Sequence, residues 1–266
     1  MRLVSLASGS KGNAYLVGAN GTSVLFDAGL SGRELERRLQ QVDVLPSQVA
    51  AIFLTHEHAD HMKGAAIFSR RHETPVYGSE GTLSTPCGRY RAVSAGTERI
   101  EVLTAGAPVV VGGLTVRAFA TSHDASDPMG YIVESAGLRL VIASDTGTVT
   151  PSAMESLREA DAMILESNHC PEMLRVGPYP IWLKRRIAGD QGHLSNQQAG
   201  HTVVNVWSDR LRYLLLGHLS EQNNTPRVAF EHMRDVLGEL NAAVDLRVCR
   251  QNEVGRWIDL HEEPQK

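Results

Sequence analysis

Residues 51–61 read Ala51-Ile52-Phe53-Leu54-Thr55-His56-Glu57-His58-Ala59-Asp60-His61. The first five form the short apolar and β-branched run of a buried strand. The next six place four nitrogen or oxygen donors, His56, His58, Asp60 and His61, in a turn at that strand's end. A tight turn there can aim His56 and His58 one way and Asp60 and His61 the other. Imidazole and carboxylate are ligands that suit zinc, iron or manganese. A single histidine beside a strand is usually a satisfied core or surface residue, but four donors at this spacing point to a metal.

Three more donors recur in the same setting. His123 follows the strand that starts near Leu114, Asp145 closes the run Leu138–Ala143 in a Ser-Asp-Thr-Gly turn, and His218 follows Tyr213–Gly217. Each lies just past an apolar strand, where the loops of a layered α/β protein converge. A buried Asp145 with neither metal nor partner would be costly.

The remaining elements supply the frame. Strands are predicted at Leu3–Leu6, Ala14–Val17 and Ser23–Asp27, then a helix capped by Ser31 with Glu34 completing a capping box. Hairpins pair Val109–Val111 with Leu114–Ala120 and Tyr131–Glu134 with Leu138–Ala143. Thereafter helices (Pro151–Ala160, Ser195–Trp207, Thr225–Leu237) alternate with strands (Ala162–Leu165, Tyr213–Leu216, Val244–Val248, Trp257–Leu260). Both halves pair strands with helices, which predicts two sheets face to face with helices outside.

Composition sets the bounds. The 266 residues allow one large domain or two small ones, and 42% hydrophobic with 21% charged residues excludes a disordered or coiled-coil chain. No apolar run nears the ~20 residues of a membrane helix. The start, Met1–Ala7, turns polar at Ser8–Lys11, too early for a signal-peptide core. Cys87, Cys170 and Cys249 are odd in number and far apart, so they read as neither a disulfide framework nor a Cys-x-x-Cys site. The expectation is a cytoplasmic protein with no membrane partner. A net charge of −4 gives no global basic field for nucleic acid, and the excess of 22 Arg over 4 Lys is most simply genomic base composition.

The His-x-His-x-Asp-His signature, His123, the Ser-Asp-Thr-Gly aspartate and His218 resemble, in order and over essentially the whole chain, the five motifs of the metallo-β-lactamase superfamily. The resemblance implies an α/β fold, the four-layer αββα sandwich, and two divalent metal ions per chain. His56, His58 and His123 would hold one; Asp60, His61 and His218 the other; Asp145 would bridge them. Zinc or manganese is expected, and the ligands also admit iron. Two metals suit hydrolysis of an anionic substrate, yet the superfamily hydrolyses β-lactams, thioesters and phosphodiesters, so other residues must choose. Asp145 in place of a cysteine argues against a secreted β-lactamase.

Glu166 ends a strand in Ile164–His169, and His193 precedes a helix capped by Ser195 with Gln198 three residues on. In the related RNase Z type of nuclease, a glutamate and a histidine in similar motifs assist the leaving oxygen. By that resemblance Glu166 would orient His193, which would protonate the leaving group, and Asp60 would hold and orient the site. The plainer reading makes Glu166 a strand-end surface residue and His193 part of a turn. His-Leu-Ser occurs at both His193 and His218; His218 is preferred as the ligand because a clean strand precedes it. Ala7–Ala14 is a Gly/Ser loop in which Ser10, Lys11 and Asn13 could cradle a phosphate, or which merely turns the chain. The segment 172–186 mixes four basic residues with Tyr179 and Trp182. Tyr179, Lys184 and Arg185 are its candidates for holding a nucleic-acid backbone and base, against the alternative of an amphipathic helix with a solvated basic face.

Together, Ala-Ser-Gly-Ser-Lys-Gly-Asn, Glu-Ser-Asn-His, Gly-Pro-Tyr-Pro, Gly-His-Leu-Ser-Asn and Gly-His-Leu-Ser…Asn-Asn-Thr-Pro look like the bacterial YycJ/WalJ branch of the superfamily. That resemblance implies a 5′→3′ DNA exonuclease with a role in DNA mismatch repair, using a metal-bridging hydroxide on a duplex or 5′ end. Cys170, where the branch commonly has an acidic residue, and Gly217 depart from its pattern. The 73 residues from Asp145 to His218 leave no room for a β-CASP-type insertion, so residues 1–266 read as one domain. A homo-oligomer and repair-protein partners are compatible with this reading. The rivals are an RNA-processing nuclease of RNase Z type, a thioester hydrolase of glyoxalase II type, and a metal-free nucleic-acid-binding scaffold.

Overall fold

Strand side chains alternate between two faces, and here both faces are apolar in most strands, so each sheet must be covered on both sides. The structure, a computed structural model, describes residues 1–84 and 99–263. One sheet has seven strands in the order β14-β1-β2-β3-β4-β5-β6, formed by Ile258–Asp259 (β14), Arg2–Ala7 (β1), Ala14–Ala19 (β2), Thr22–Phe26 (β3), Val49–Phe53 (β4), Val76–Gly78 (β5) and Ile100–Val102 (β6). The other, also of seven, runs β13-β12-β11-β10-β9-β8-β7, formed by Asp245–Val248 (β13), Tyr213–Gly217 (β12), Ala162–Glu166 (β11), Leu138–Ala143 (β10), Met129–Ser135 (β9), Leu114–Ala120 (β8) and Val109–Val111 (β7).

Between the sheets, alternate residues of both interdigitate: Leu3, Tyr15, Val17, Phe26 and Phe53 from the first meet Val116, Tyr131, Leu140, Ile142 and Ile164 from the second. Phe26 and Phe53 stack at 5.4 Å, and Tyr131 packs edge-on to Phe53 at 5.7 Å. The outer face of the first sheet presents Leu16, Leu25 and Ile52 to Leu35 and Leu39 of α1 (Gly32–Gln40) and Phe68 of α3 (Ala65–His72). The outer face of the second presents Val141, Met163, Leu165 and Leu216 to α5 (Pro151–Arg158), α8 (Asn196–Val206) and α9 (Pro226–Glu239). Helix, sheet, sheet and helix are thus four layers, the expected αββα sandwich.

Strands β3 to β6 run parallel, as do β10 to β13. Parallel strands gather their carboxyl ends at one rim, the usual place for a site in such sheets. Four short helices complete the description: α2 (Ala59–Met62) and α4 (Glu80–Ser84) beside the first sheet, and the pair α6 (Pro171–Val176) and α7 (Ile181–Ile187) before α8.

Two local expectations change. Ser31 accepts the Glu34 N–H at 3.3 Å, but the Glu34 carboxylate turns to Arg37 and Arg38 instead of closing a capping box. Ser195 and Gln198 do form the complete box. The segment 172–186 is two short helices, not one. Cys170 and Cys249 are free thiols, and Cys87 lies outside the described residues. Among the described residues no helix is long and apolar enough to cross a membrane.

Candidate metal centre

Three strand ends at the rim turn abruptly. Asp27 after β3, Asp145 after β10 and His218 after β12 have φ of +60°, +49° and +52°. Asp and His are among the few side chains that tolerate this left-handed region, and residues held there concentrate at ligand clamps. Gly29 lets the first motif turn approach the 9–13 loop, since a Cβ there would lie 1.6 Å from the Asp60 carbonyl oxygen.

The donors converge in overlapping groups. Ligand atoms of His56, His58 and His123 lie within 4.8 Å of one another, as do those of Asp60, His61 and His218 and those of His56, His61 and Asp145. One oxygen, Asp145 Oδ2, faces both sets: it is 3.4 Å from His61 Nε2, 3.4 Å from His218 Nδ1, 3.8 Å from His123 Nε2 and 4.0 Å from His56 Nε2.

Behind the ligands lies a second layer of bonds that fixes which nitrogen points inward. His61 donates Nδ1–H to Asp27 Oδ2 at 2.7 Å. The Thr55 hydroxyl gives its one proton to Asp27 at 3.0 Å, so it must accept Nδ1–H from His56 at 2.9 Å. His123 donates Nδ1–H to the Gly192 carbonyl at 3.0 Å. Glu166 Oε1 accepts Nδ1–H from both His193 and His218, each at 2.8 Å, while its Oε2 accepts the N–H groups of Thr146 and Leu194.

These residues fit divalent ions. Nε2 of His56 and of His218 are buried without a hydrogen-bond partner among the described residues, a costly state for a polar atom unless something else takes the lone pair. Burial holds His56 well below the ordinary imidazole range, so it is neutral. Burial also disfavours charge on His218, but Asp145, Asp60 and Glu166 outweigh it and push the ring up to about 10. Burial likewise opposes ionisation of Asp145, which His218 and His61 overcome to hold it far below the usual carboxylate range. Asp145 is thus kept ionised by positive charge at His218 and His61, a role that a divalent cation could take over in their place.

Sequence-predicted residues outside the ligand sets fare differently. Glu166 is fully buried, so it touches no substrate and acts by positioning His193 and His218. His193, with its side chain 20% exposed, remains at the surface of the centre. Asn13 needs correction as a substrate contact. It is fully buried, its Oδ1 accepts from Gly9 N–H, its Nδ2 donates to the Gly9 carbonyl, and the same Nδ2 lies 3.0 Å from His61 Nε2. It ties the Gly/Ser loop to the ligand turn. Ser10 and Lys11 are exposed on that loop, Lys11 paired with Glu221 at 2.6 Å. Tyr179 is half-buried, Lys184 donates to the Arg175 carbonyl at 2.7 Å, and Arg185 is exposed. Asp27 and Thr55 escaped the sequence reading, although Asp-Ala-Gly directly after an apolar strand repeats the pattern of Asp145. Gly217 also has its reason here: a Cβ would lie 2.7 Å from the Tyr15 hydroxyl.

A family model described as the beta-lactamase superfamily domain matches residues 22–214. This chain belongs to the metallo-β-lactamase superfamily. Within the superfamily it is 36% identical over 234 residues to the exodeoxyribonuclease YycJ of Bacillus anthracis, covering 88% of each chain. It is 32% identical over 245 residues to the exodeoxyribonuclease WalJ of Streptococcus pneumoniae, covering 91% of each. The chain thus falls in the YycJ/WalJ branch. The metallo-β-lactamase fold protein YhfI of Bacillus subtilis superposes with a TM-score of 0.73 over 97% of this chain and 99% of that one, at 15% identity, which is a likeness of fold.

Proposed function

We propose that this chain is a dinuclear metal-dependent phosphodiesterase acting as a 5′→3′ DNA exonuclease in DNA repair, within the cytoplasm and as one domain. The observation that carries the reading is likeness along 88% of both chains to a protein named an exodeoxyribonuclease; the donor groups at the rim give that activity a place to occur.

His56, His58 and His123 would hold one ion, and Asp60, His61 and His218 the second, with Asp145 shared. Two ions held there would supply Lewis acidity and make water a nucleophile near neutral pH. The protein's own groups do the rest. Glu166 accepts the hydrogen bond of His193 Nδ1–H, which turns Nε2 toward the centre, where a proton carried on it would pass to the departing 3′-oxygen. Asp27, Thr55 and Gly192 fix the rings of His61, His56 and His123, so these imidazoles need not reorient as charge develops. Ser10 and Lys11 of the Gly/Ser loop, and Tyr179, Lys184 and Arg185, are the candidates for meeting the phosphate backbone.

DNA and RNA of one sequence, labelled at either end and incubated with manganese or zinc, test this. The reading expects metal-dependent loss of nucleotides from the 5′ end of DNA and little action on RNA. Turnover of a glutathione thioester with no nuclease activity would overturn it, and preference for RNA would move the substrate to the RNase Z type.

A further inference from the structure

Helix α7 buries none of its residues. Around it Val176, Ile181 and Trp182 are 65%, 69% and 66% exposed, a concentration of large apolar side chains that a monomer has no folding reason to display. Its position relative to the metal centre is fixed. The His193 N–H donates to the Ile187 carbonyl at 2.8 Å, the Asp124 N–H to the Gln191 carbonyl at 3.0 Å, and His123 to Gly192. Gly147 closes the contact, since a Cβ there would lie 2.3 Å from the Gly189 carbonyl oxygen.

Trp182 and Arg186 stand four residues apart, on one stripe of the helix. Arg186 donates to Asp124, whose other oxygen is 3.4 Å from His123 Nε2. Trp182 therefore lies about one helical turn, ~6 Å along the axis, from a side chain that reaches the ligand shell. Arg185, three residues from Trp182, is exposed and has no ion pair among the described residues. Four basic and two acidic side chains lie between Glu172 and Asp190, in a chain whose net charge is −4. A flat aromatic face beside free guanidinium charge complements an unpaired polynucleotide strand, whose bases stack and whose phosphates are anionic.

We propose that Trp182, flanked by Arg185, is the stacking platform for a nucleobase of a single-stranded DNA end entering the metal centre. The inference rests on the nuclease reading and sharpens it: the substrate is engaged through an unpaired end, with a base-blind contact about one helical turn from Arg186, which reaches the ligand His123 through Asp124.

The test compares wild type, Trp182→Ala and Trp182→Phe on 5′-phosphorylated single-stranded DNA, and on the same DNA carrying abasic tetrahydrofuran units at its first positions. Trp182→Ala should raise KM about tenfold with kcat within about twofold, Trp182→Phe should restore most of the loss, and the abasic substrate should erase the difference between the variants. Equal KM for wild type and Trp182→Ala on intact DNA overturns the platform and leaves the nuclease reading standing. If wild type hydrolyses no DNA, the nuclease reading falls separately, and tryptophan fluorescence decides the platform: quenching by the oligonucleotide that vanishes in Trp182→Phe supports it, and unchanged quenching overturns it. A dimer in sedimentation that Trp182→Ala dissociates without changing KM assigns the patch to a second copy of the chain and overturns the proposal.

Discussion

Asp27 sits behind His61, wholly buried, and receives three hydrogen bonds from Thr55 and His61 within 3.0 Å. Its work is to hold the His61 Nδ1 proton so that Nε2 faces inward. Asp27→Asn keeps the size but removes that charge, and a chelator-competition titration should show metal affinity falling about 10–100-fold; unchanged affinity would remove Asp27 from the account. Glu166 and His193 should separate in the same assay. His193→Ala should keep its metal and turn over slowly, whereas Glu166→Gln, which disturbs His193 and His218 together, should lose both metal affinity and rate. The clustered donors were legible because four of them share six residues and three more end clean strands. Asp27 was not, because its partner lies 34 residues away and its own neighbourhood reads as a turn. Asn13 was misread for a related reason: a Gly/Ser loop looks the same whether its polar side chain faces an anion or folds back onto the protein.

Among the elements, α1 shows how a surface helix is locked to the rim. Arg38 is 5% exposed and donates to the Leu6 carbonyl at 2.7 Å, the Gln251 carbonyl at 2.9 Å and Glu34 at 2.7 Å. Arg38→Met strands these acceptors, and urea unfolding should show a loss of about 2–3 kcal/mol. Hydrogen bonds from Arg37, then Arg38, hold the Glu34 carboxyl down at about 2 against its ordinary 4.5. A carboxyl lowered in the folded state stabilises it above pH 4.5, and that contribution fades as pH falls toward 2. The thermal midpoint should therefore drop more steeply between pH 4.5 and 2 in wild type than in Glu34→Gln; parallel curves would contradict it. The Ser31 cap was visible in sequence, but the fate of Glu34 was decided by arginines one turn later. Helix α3 and strands β5 and β6 carry no motif. The strands' place depends on parallel pairing, β5 with β4 and β6 with β5, which periodicity within a short segment does not reveal.

At the scale of the whole molecule, the metal centre is a seam between two sheets. His56, His58, Asp60 and His61 come from the first, and His123, Asp145 and His218 from the second. Ions bound there join the halves, so they should stabilise the fold by about 3 kcal/mol each at hundredfold saturation. With each kcal/mol worth about 2–4 °C in a chain of this size, chelating both ions should lower the calorimetric Tm by roughly 10–20 °C, and an unchanged Tm would mean that the seam holds no metal. The architecture was readable because both halves alternate strands with helices and every donor ends a strand. The central claim, that the donors at this seam hydrolyse DNA, is tested most directly by following end-labelled DNA with wild type and Asp145→Ala while counting metal per chain. Wild type should carry about two ions and shorten the DNA progressively, and Asp145→Ala should carry fewer ions and shorten none; DNA degraded at the wild-type rate by Asp145→Ala would show that these donors do not carry out the hydrolysis.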